Sequence, residues 1–211
     1  MKIKDRLYQK LTRFYLAFFK IDEKNQNLME RTDLLVPLDY GIEKSGDLPQ
    51  ATKKALSMAR YALRRPHGVE YIAWANSDYF TWDINFLQIN KENWMKASGF
   101  YIPPKFIYVP CKNSITEARN IRDILNKKGF SPKYILVICD APHAPRTKKI
   151  WEHFFPDSEI QILITWSDWD ENHPSIWQKS KFRWLFGNIL HHMAISLFGI
   201  ERLANKTHTL K

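Results

Sequence analysis

Short apolar runs alternate with stretches of helical periodicity along most of the chain. Leu34-Leu35-Val36-Pro37-Leu38, Tyr71-Ile72-Ala73-Trp74-Ala75, Phe106-Ile107-Tyr108-Val109, Tyr134 to Ile138 and Ile160-Gln161-Ile162-Leu163-Ile164 each predict a strand. Between them, apolar spacings of three and four predict helices from Ala51 to Leu63, from Ser114 to a stop at Gly129, and from Pro145 to Phe155-Pro156. Asp47-Leu48-Pro49-Gln50 resembles a capping box ahead of the first of these. An aromatic loop from Asn76 to Asn90 and a short helix around Lys91 to Ala97 follow the second strand. Strands and helices alternating in this way make a parallel sheet with right-handed crossovers. The expected fold class is therefore α/β, a three-layer α/β/α Rossmann-like sandwich. Its sheet is mostly parallel and five-stranded, with amphipathic helices at both termini.

The terminal segments have their own pattern. Ile3, Leu7, Leu11, Phe14, Tyr15 and Phe18 recur at helical spacing among basic residues, which predicts an amphipathic basic helix. Gln9, Lys10, Thr12 and Arg13 interrupt it, so it lacks the unbroken apolar core of a signal peptide and is far too polar to span a bilayer. From Lys179 to Lys206 the chain is rich in Phe, Trp, Leu and Ile, but Arg183, Asn188, His191 and His192 break the run. Packing of both helices on the domain is the simplest expectation. Their basic, aromatic composition also allows a peripheral contact with acidic lipid. The expected organisation is an N-terminal helix over 1–30, a Rossmann-like domain over 31–170 and a helical extension over 171–211. The expected location is cytoplasmic, or peripheral to the inner face of the cell membrane.

Composition narrows the partners. A hydrophobic fraction of 45% with 14% aromatics supports a proper core. A net charge of +10, from 32 Lys and Arg against 22 Asp and Glu, directs the chain toward anions: nucleic acid, acidic lipid or phosphorylated metabolites. No recognition helix, zinc finger or RNA-binding signature is present, which makes nucleic acid the weakest of these. Cys111 and Cys139 each close a predicted strand and could be neighbours, although reduced thiols are the simpler reading. CxxC and HExxH motifs are absent and the histidines are scattered, so nothing suggests a metal site.

Candidate chemistry gathers at four strand ends. Asp39 follows the first strand; Asn76, Ser77 and Asp78 the second; Asn113, Ser114 and Glu117 the third; Asp140, His143 and Arg146 the fourth. In a parallel sheet these ends share one edge, where ligands of open α/β sheets bind. The helix opened by Pro145 carries Arg146, Lys148 and Lys149 before its first acid, Glu152. Positive charge there opposes the helix dipole by about 0.3–1 kcal/mol per charge, so Arg146 either holds an anion or pairs with a carboxylate. Plain roles stand beside the others. Ser114-Ile115-Thr116-Glu117 is itself a capping box, Asp39 suits a turn, and Asp140 suits a helix cap. His143 is competent as an acid or base if a carboxylate orients it. No GxGxxG follows the first strand, and the Walker lysine motif is missing.

Asn113-Ser114-Ile115-Thr116-Glu117-Ala118 and Val137-Ile138-Cys139-Asp140-Ala141-Pro142-His143-Ala144-Pro145-Arg146 resemble the two most recognisable motifs of the YdcF/SanA/ElyC family. Asn113 and Glu117 match the first motif, and His143 and Arg146 match the second. Lys91-Glu92-Asn93-Trp94-Met95 is similar to the family's acid and methionine on the preceding helix. The resemblance spans Asp33 to Ile164. It departs at the first two strand ends, where the usual glycines give way to Asp39-Tyr40-Gly41 and Asn76-Ser77-Asp78-Tyr79. A family arginine on the first helix is replaced by nearby Lys53 and Lys54. The resemblance implies a bacterial Rossmann-like protein of undefined biochemistry, tied to an envelope-related process. It also implies a nucleotide-like ligand such as S-adenosylmethionine.

The expected function is binding of an anionic, phosphate- or nucleotide-like small molecule at the carboxyl edge of the sheet. Arg146, Asn113, Ser114, Asp140, Asn76 and Ser77 would hold it, helped by the amides at the helix starts of Ser114 and Ala144. His143, Glu117 and Asp39 are the candidates for acid–base work, which would suit hydrolysis or transfer at a phosphate ester. The alternative is a non-catalytic, envelope-associated adaptor or membrane-peripheral binding module.

Overall fold

The computed structural model describes residues 3–22, 31–41, 48–63, 69–77, 105–111, 113–167 and 176–206. Strands β1 (Thr32–Pro37), β2 (Val69–Ser77), β3 (Lys105–Cys111), β4 (Tyr134–Asp140) and β5 (Glu159–Thr165) form one sheet in the order β3-β2-β1-β4-β5. Every described pairing is parallel, with Leu34 opposite Tyr71 and Ile135, and Val137 opposite Ile162. Leu34, Val36, Ile135, Val137, Ile162 and Ile164 enter one core, while Leu35, Ile72, Leu136, Ile138 and Leu163 enter the other. Burial on both faces is the reason these strands are continuous apolar runs rather than alternating ones.

Helices α1 (Ile3–Phe18), α2 (Gln50–Leu63), α3 (Ser114–Lys127), α4 (Ala144–Phe154), α5 (Lys181–Phe198) and α6 (Ile200–Lys206), with 3-10 turns at Ala141–His143 and Ile176–Lys179, complete the described elements. α2 covers one face through Ala55, Leu56, Ala59 and Ala62. α3 and α4 cover the other through Ala118, Ile121, Leu125, Ile150, Trp151 and Phe154. The result is a three-layer Rossmann-like sandwich. Leu16 and Ile21 from the N-terminal segment, and Trp184, Ile195, Ile200 and Ala204 from the C-terminal one, enter the same core as α3 and α4.

The cap of α3 sits one residue earlier than the sequence suggests. Asn113, not Ser114, is the N-cap: its Oδ1 accepts from the Ile115 and Thr116 amides, both at 2.9 Å. Thr116 closes the box by accepting from the Asn113 amide at 3.0 Å, so Glu117 is released from capping. Asn113→Ala should lower unfolding free energy by about 1 kcal/mol, and Asn113→Asp should restore most of it, as read by urea denaturation. The helix stops where expected, at Gly129, which takes the left-handed φ of +68°. A second such glycine, Gly199 at φ +81°, separates α5 from α6. Asp47, the aromatic loop from residue 78 onward and the helix over 91–97 lie outside the described residues.

The reduced-thiol reading of the cysteines holds, while their possible adjacency and the face of the terminal helices are corrected. Cys111 and Cys139 are buried free thiols on β3 and β4, with β2 and β1 between them. Three inter-strand steps of about 4.8 Å leave them far too distant for a disulfide. The terminal helices also present a different face from the one their apolar stripes suggest. Tyr8, Thr12, Tyr15 and Leu16 are buried on α1, whereas Ile3, Leu7, Leu11, Phe14 and Phe18 face solvent. The seat explains the choice. Tyr8 packs edge-on to Trp166 and Phe182, with centroids 6.3 and 6.0 Å away, and the Tyr15 hydroxyl lies 3.1 Å from His192 Nδ1. On α5, Trp184, Leu185, Asn188, His192 and Ile195 turn inward, and Phe186, Leu190, Met193 and Leu197 turn outward. No described helix is long and apolar enough to cross a membrane.

Candidate functional site

Strand order reverses between β1 and β4, the position at which sheets of this type take their ligands. β4 ends at Asp140, and a single 3-10 turn, Ala141–His143, leads into α4 with Arg146 in its first turn. Ser114 and Glu117 enter from the start of α3, and Asp39-Tyr40-Gly41 from the end of β1.

His143 is the meeting point. Its Nε2 lies 3.1 Å from Ser114 Oγ and 2.7 Å from the Arg146 guanidinium. A guanidinium only donates, so Nε2 accepts and the ring proton sits on Nδ1. That Nδ1 is buried and has no hydrogen-bond partner among the described residues. Tyr40 and Trp184 enclose the imidazole edge-on, with centroids 5.8 and 5.6 Å away. Burial first, then Arg146 and His191, holds His143 well below the ordinary histidine range, so the ring is neutral.

Arg146 donates its other terminal nitrogen to His191 Nδ1 at 2.9 Å. No carboxylate oxygen lies within 4.0 Å of the guanidinium among the described residues. The carboxylate partner allowed by the sequence is therefore replaced by two imidazoles. Its Nε is buried and unpartnered among the described residues, and burial lowers its pKa to about 10, still cationic at neutral pH. Burial and then Arg146 bring His191 down to about 4. Burial, then Lys149 and Arg146, do the same to His192. A fixed cation thus sits among neutral rings.

Glu117 is 4% exposed, and its Oε1 has no hydrogen-bond partner among the described residues. Burial, and next the neighbouring Asp39, push its carboxyl well above the usual range against a smaller opposing pull from Arg146. This favours the protonated form, which is able to donate. Asp39 makes the expected turn, with Oδ1 accepting from the Gly41 amide and the Thr52 hydroxyl at 3.2 Å each. Thr52 in turn accepts from the Tyr40 amide at 3.0 Å.

Asp140 serves a different purpose from the cluster. Its two oxygens accept from the Ser167 amide at 2.9 Å and Trp184 Nε1 at 3.1 Å, and its own amide donates to the Tyr40 hydroxyl at 2.6 Å. These bonds lash the ends of β4 and β5 to α5. Burial raises its carboxyl to about 7, with the Ser167 and Trp184 bonds opposing. Asn113 spends its side-chain oxygen on the α3 cap. Asn76 and Ser77 close β2 opposite Pro110 and Cys111, with their side chains, like Asp78, outside the described residues. Lys54 donates to the Trp166 carbonyl.

Open amides were expected at the starts of α3 and α4, and the structure corrects this for α3; the β1 turn likewise has its amides engaged. The Ile115, Thr116 and Glu117 amides are taken by Asn113, and those of Tyr40 and Gly41 by Thr52 and Asp39. Of the side chains gathered here, the donor with capacity left for an incoming anion is the Arg146 guanidinium, because the Ser114 hydroxyl is donated to His143 Nε2. Tyr40, Trp184, His191 and His192 were not foreseen as site residues. Tyr40 sits beside a candidate acid at a strand end, which was a usable signal; the α5 residues meet Arg146 only through tertiary packing. No group of three or more His, Cys, Asp or Glu that could hold a metal ion occurs among the described residues. Compared with protein families, curated proteins and solved structures, the chain matches none of them.

Proposed function

We propose that this edge of the sheet binds a small anionic molecule of phosphate- or nucleotide-like type, with Arg146 as its counter-charge. The observation that carries the reading is a guanidinium held, among the described residues, by neutral imidazoles, with the buried Glu117 Oε1, His143 Nδ1 and Arg146 Nε unpartnered among those residues and Glu117 near enough to feel the guanidinium. A poorly paired buried charge costs several kcal/mol, and such groups concentrate at functional sites. A bound anion would accept from Arg146, with Ser114 joining by turning its hydroxyl away from His143 Nε2, and its charge would raise His143 toward protonation. Burial, with Asp39 beside it, favours the protonated form of Glu117, which can donate. These groups suit acid–base work at a phosphate ester.

The resemblance to YdcF-like proteins is the source of the nucleotide-like option, S-adenosylmethionine included. The fit is to an anionic group, a phosphate or a carboxylate, on the β4–α4 side. At the β1 end the Tyr40 and Gly41 amides that would cradle a pyrophosphate are already engaged. Binding without turnover is the second reading, favoured because the Nε2 lone pair needed as a base is shared between Ser114 and Arg146.

Thermal-shift and calorimetric titrations with inorganic phosphate, AMP, S-adenosylmethionine and a sugar phosphate test the reading. At least one should bind the wild type saturably, and Arg146→Ala should weaken it by roughly tenfold or more, the worth of a charged hydrogen bond. Binding that is undiminished in the variant would remove Arg146 from the site.

A further inference from the structure

The outward faces of α1 and α5 carry the same spacing. Leu7, Leu11, Phe14 and Phe18 on α1, and Phe186, Leu190, Met193 and Leu197 on α5, follow one another at four, three and four residues. Each set is a single stripe, because such positions share a helix face. All eight are exposed, Phe14 and Leu197 at 73% each.

The two helices lie side by side in the same direction. Lys181 at the start of α5 bonds Asp5 at the start of α1 at 3.0 Å, and Tyr15 meets His192 farther along both. Leu11 and Phe18 lie three residues beyond the seam residues Tyr8 and Tyr15. Phe186 and Met193 lie four beyond Phe182 and Ile189, which pack into the same seam. Both stripes therefore border the seam and join into one apolar surface. Scattered exposed apolar residues are ordinary; a continuous surface of this kind marks a contact with another body.

Its surroundings are basic. Lys4, Arg6, Lys10 and Arg13 are exposed on α1, and Arg183 on α5. α5 carries no acidic residue, and the single acid of α1, Asp5, is bonded to Lys181. We propose that the α1–α5 face docks on the surface of a bilayer containing acidic lipids, its apolar side chains among the headgroups and its basic flank against the phosphates. Charge complementarity selects this occupant. A second copy of the chain seated on the same face would oppose one set of cations with another.

The test is flotation of the full chain with vesicles of phosphatidylcholine, with and without roughly a third phosphatidylglycerol. Binding should require the acidic lipid, weaken by about tenfold or more as salt rises through the physiological range, and fall by a similar factor in Phe14→Glu and Leu197→Glu. Both positions are exposed, so the variants should keep the wild-type thermal midpoint. Arg146→Met should float like the wild type, which separates this face from the anion site. The proposal is overturned if the chain fails to float at low salt, or floats equally well in the Glu variants. It is also overturned if Arg146→Met abolishes flotation, which would mean a headgroup held in the site. Finally, it fails if light scattering shows a dimer that Phe14→Glu dissociates.

Discussion

Arg146→Met should make the ligand-free protein more stable while erasing its response to anions. The guanidinium is partly buried and, among the described residues, is hydrogen-bonded by neutral imidazoles rather than by a carboxylate, so its removal relieves a cost rather than breaking an ion pair. Replacing poorly compensated buried ions by apolar side chains of similar volume stabilises proteins by 1–4 kcal/mol in favourable cases. A gain of about 1–2 kcal/mol is expected here, or roughly 3–6 °C in the midpoint of a chain this long. His191 and His192 supply a second readout. Each sits at about 4, and Arg146 is a contributor to both values after burial, so both should titrate higher in the variant by NMR. A lowered midpoint with unchanged histidines would mean that Arg146 is a structural strut.

Asp140→Ala should be the most damaging single substitution near the site. It strips the acceptors from two buried donors, the Ser167 amide and Trp184 Nε1, at about 1–3 kcal/mol each. A loss of about 3 kcal/mol is expected at mildly acidic pH, measured by urea unfolding. The loss should shrink as pH rises. Asp140 has a folded pKa of about 7 against an ordinary 3.8, so its ionisation costs the fold stability progressively between those values. The alanine variant escapes that cost. The depressed histidines have the opposite sign: their stability is present above the ordinary 6.5 and is lost as pH falls toward about 4. In the wild type the two trends oppose each other across this window. Asp140→Ala removes one of the opposing carboxyl contributions and leaves that of Glu117, so stability should fall more steeply on acidification than in the wild type. An unchanged midpoint at acidic pH would show that the lashing of β4 and β5 to α5 is dispensable.

The strands were legible because both faces of the sheet are covered, so Ile135 to Ile138 could only be a doubly buried run. The α3 cap slipped by one residue because Asn113 and Ser114 are both good caps, and Thr116 and Glu117 both suit the return position. That slip matters chemically, since it turns Glu117 from a capping side chain into a buried acid. The outward stripe of α1 was misassigned for a general reason. Periodicity tells which residues share a face but not which face meets the protein, and Tyr8, Thr12 and Tyr15 fit an aromatic, hydrogen-bonding seat better than Leu7 or Phe14 would. Ser114, His143 and Arg146 come from two consecutive strand ends and could be grouped from the sequence. His191 reaches Arg146 across a fold that no spacing encodes.

The pairing of α1 with α5 also governs the order of assembly. Asp5 and Lys181, and Tyr15 and His192, are separated by 176 and 177 positions, close to the whole length of the chain. A ribosome releases α1 long before its seat exists, while the sheet and its nearer crossover helices can already be forming. A helix made well before its partner is therefore among the last to be placed, and it waits with both its tyrosine face and its leucine–phenylalanine face bare. Refolding should accordingly show a late phase reported by the environment of Tyr15, and a nascent chain lacking α5 should be a better client for chaperones than the finished protein.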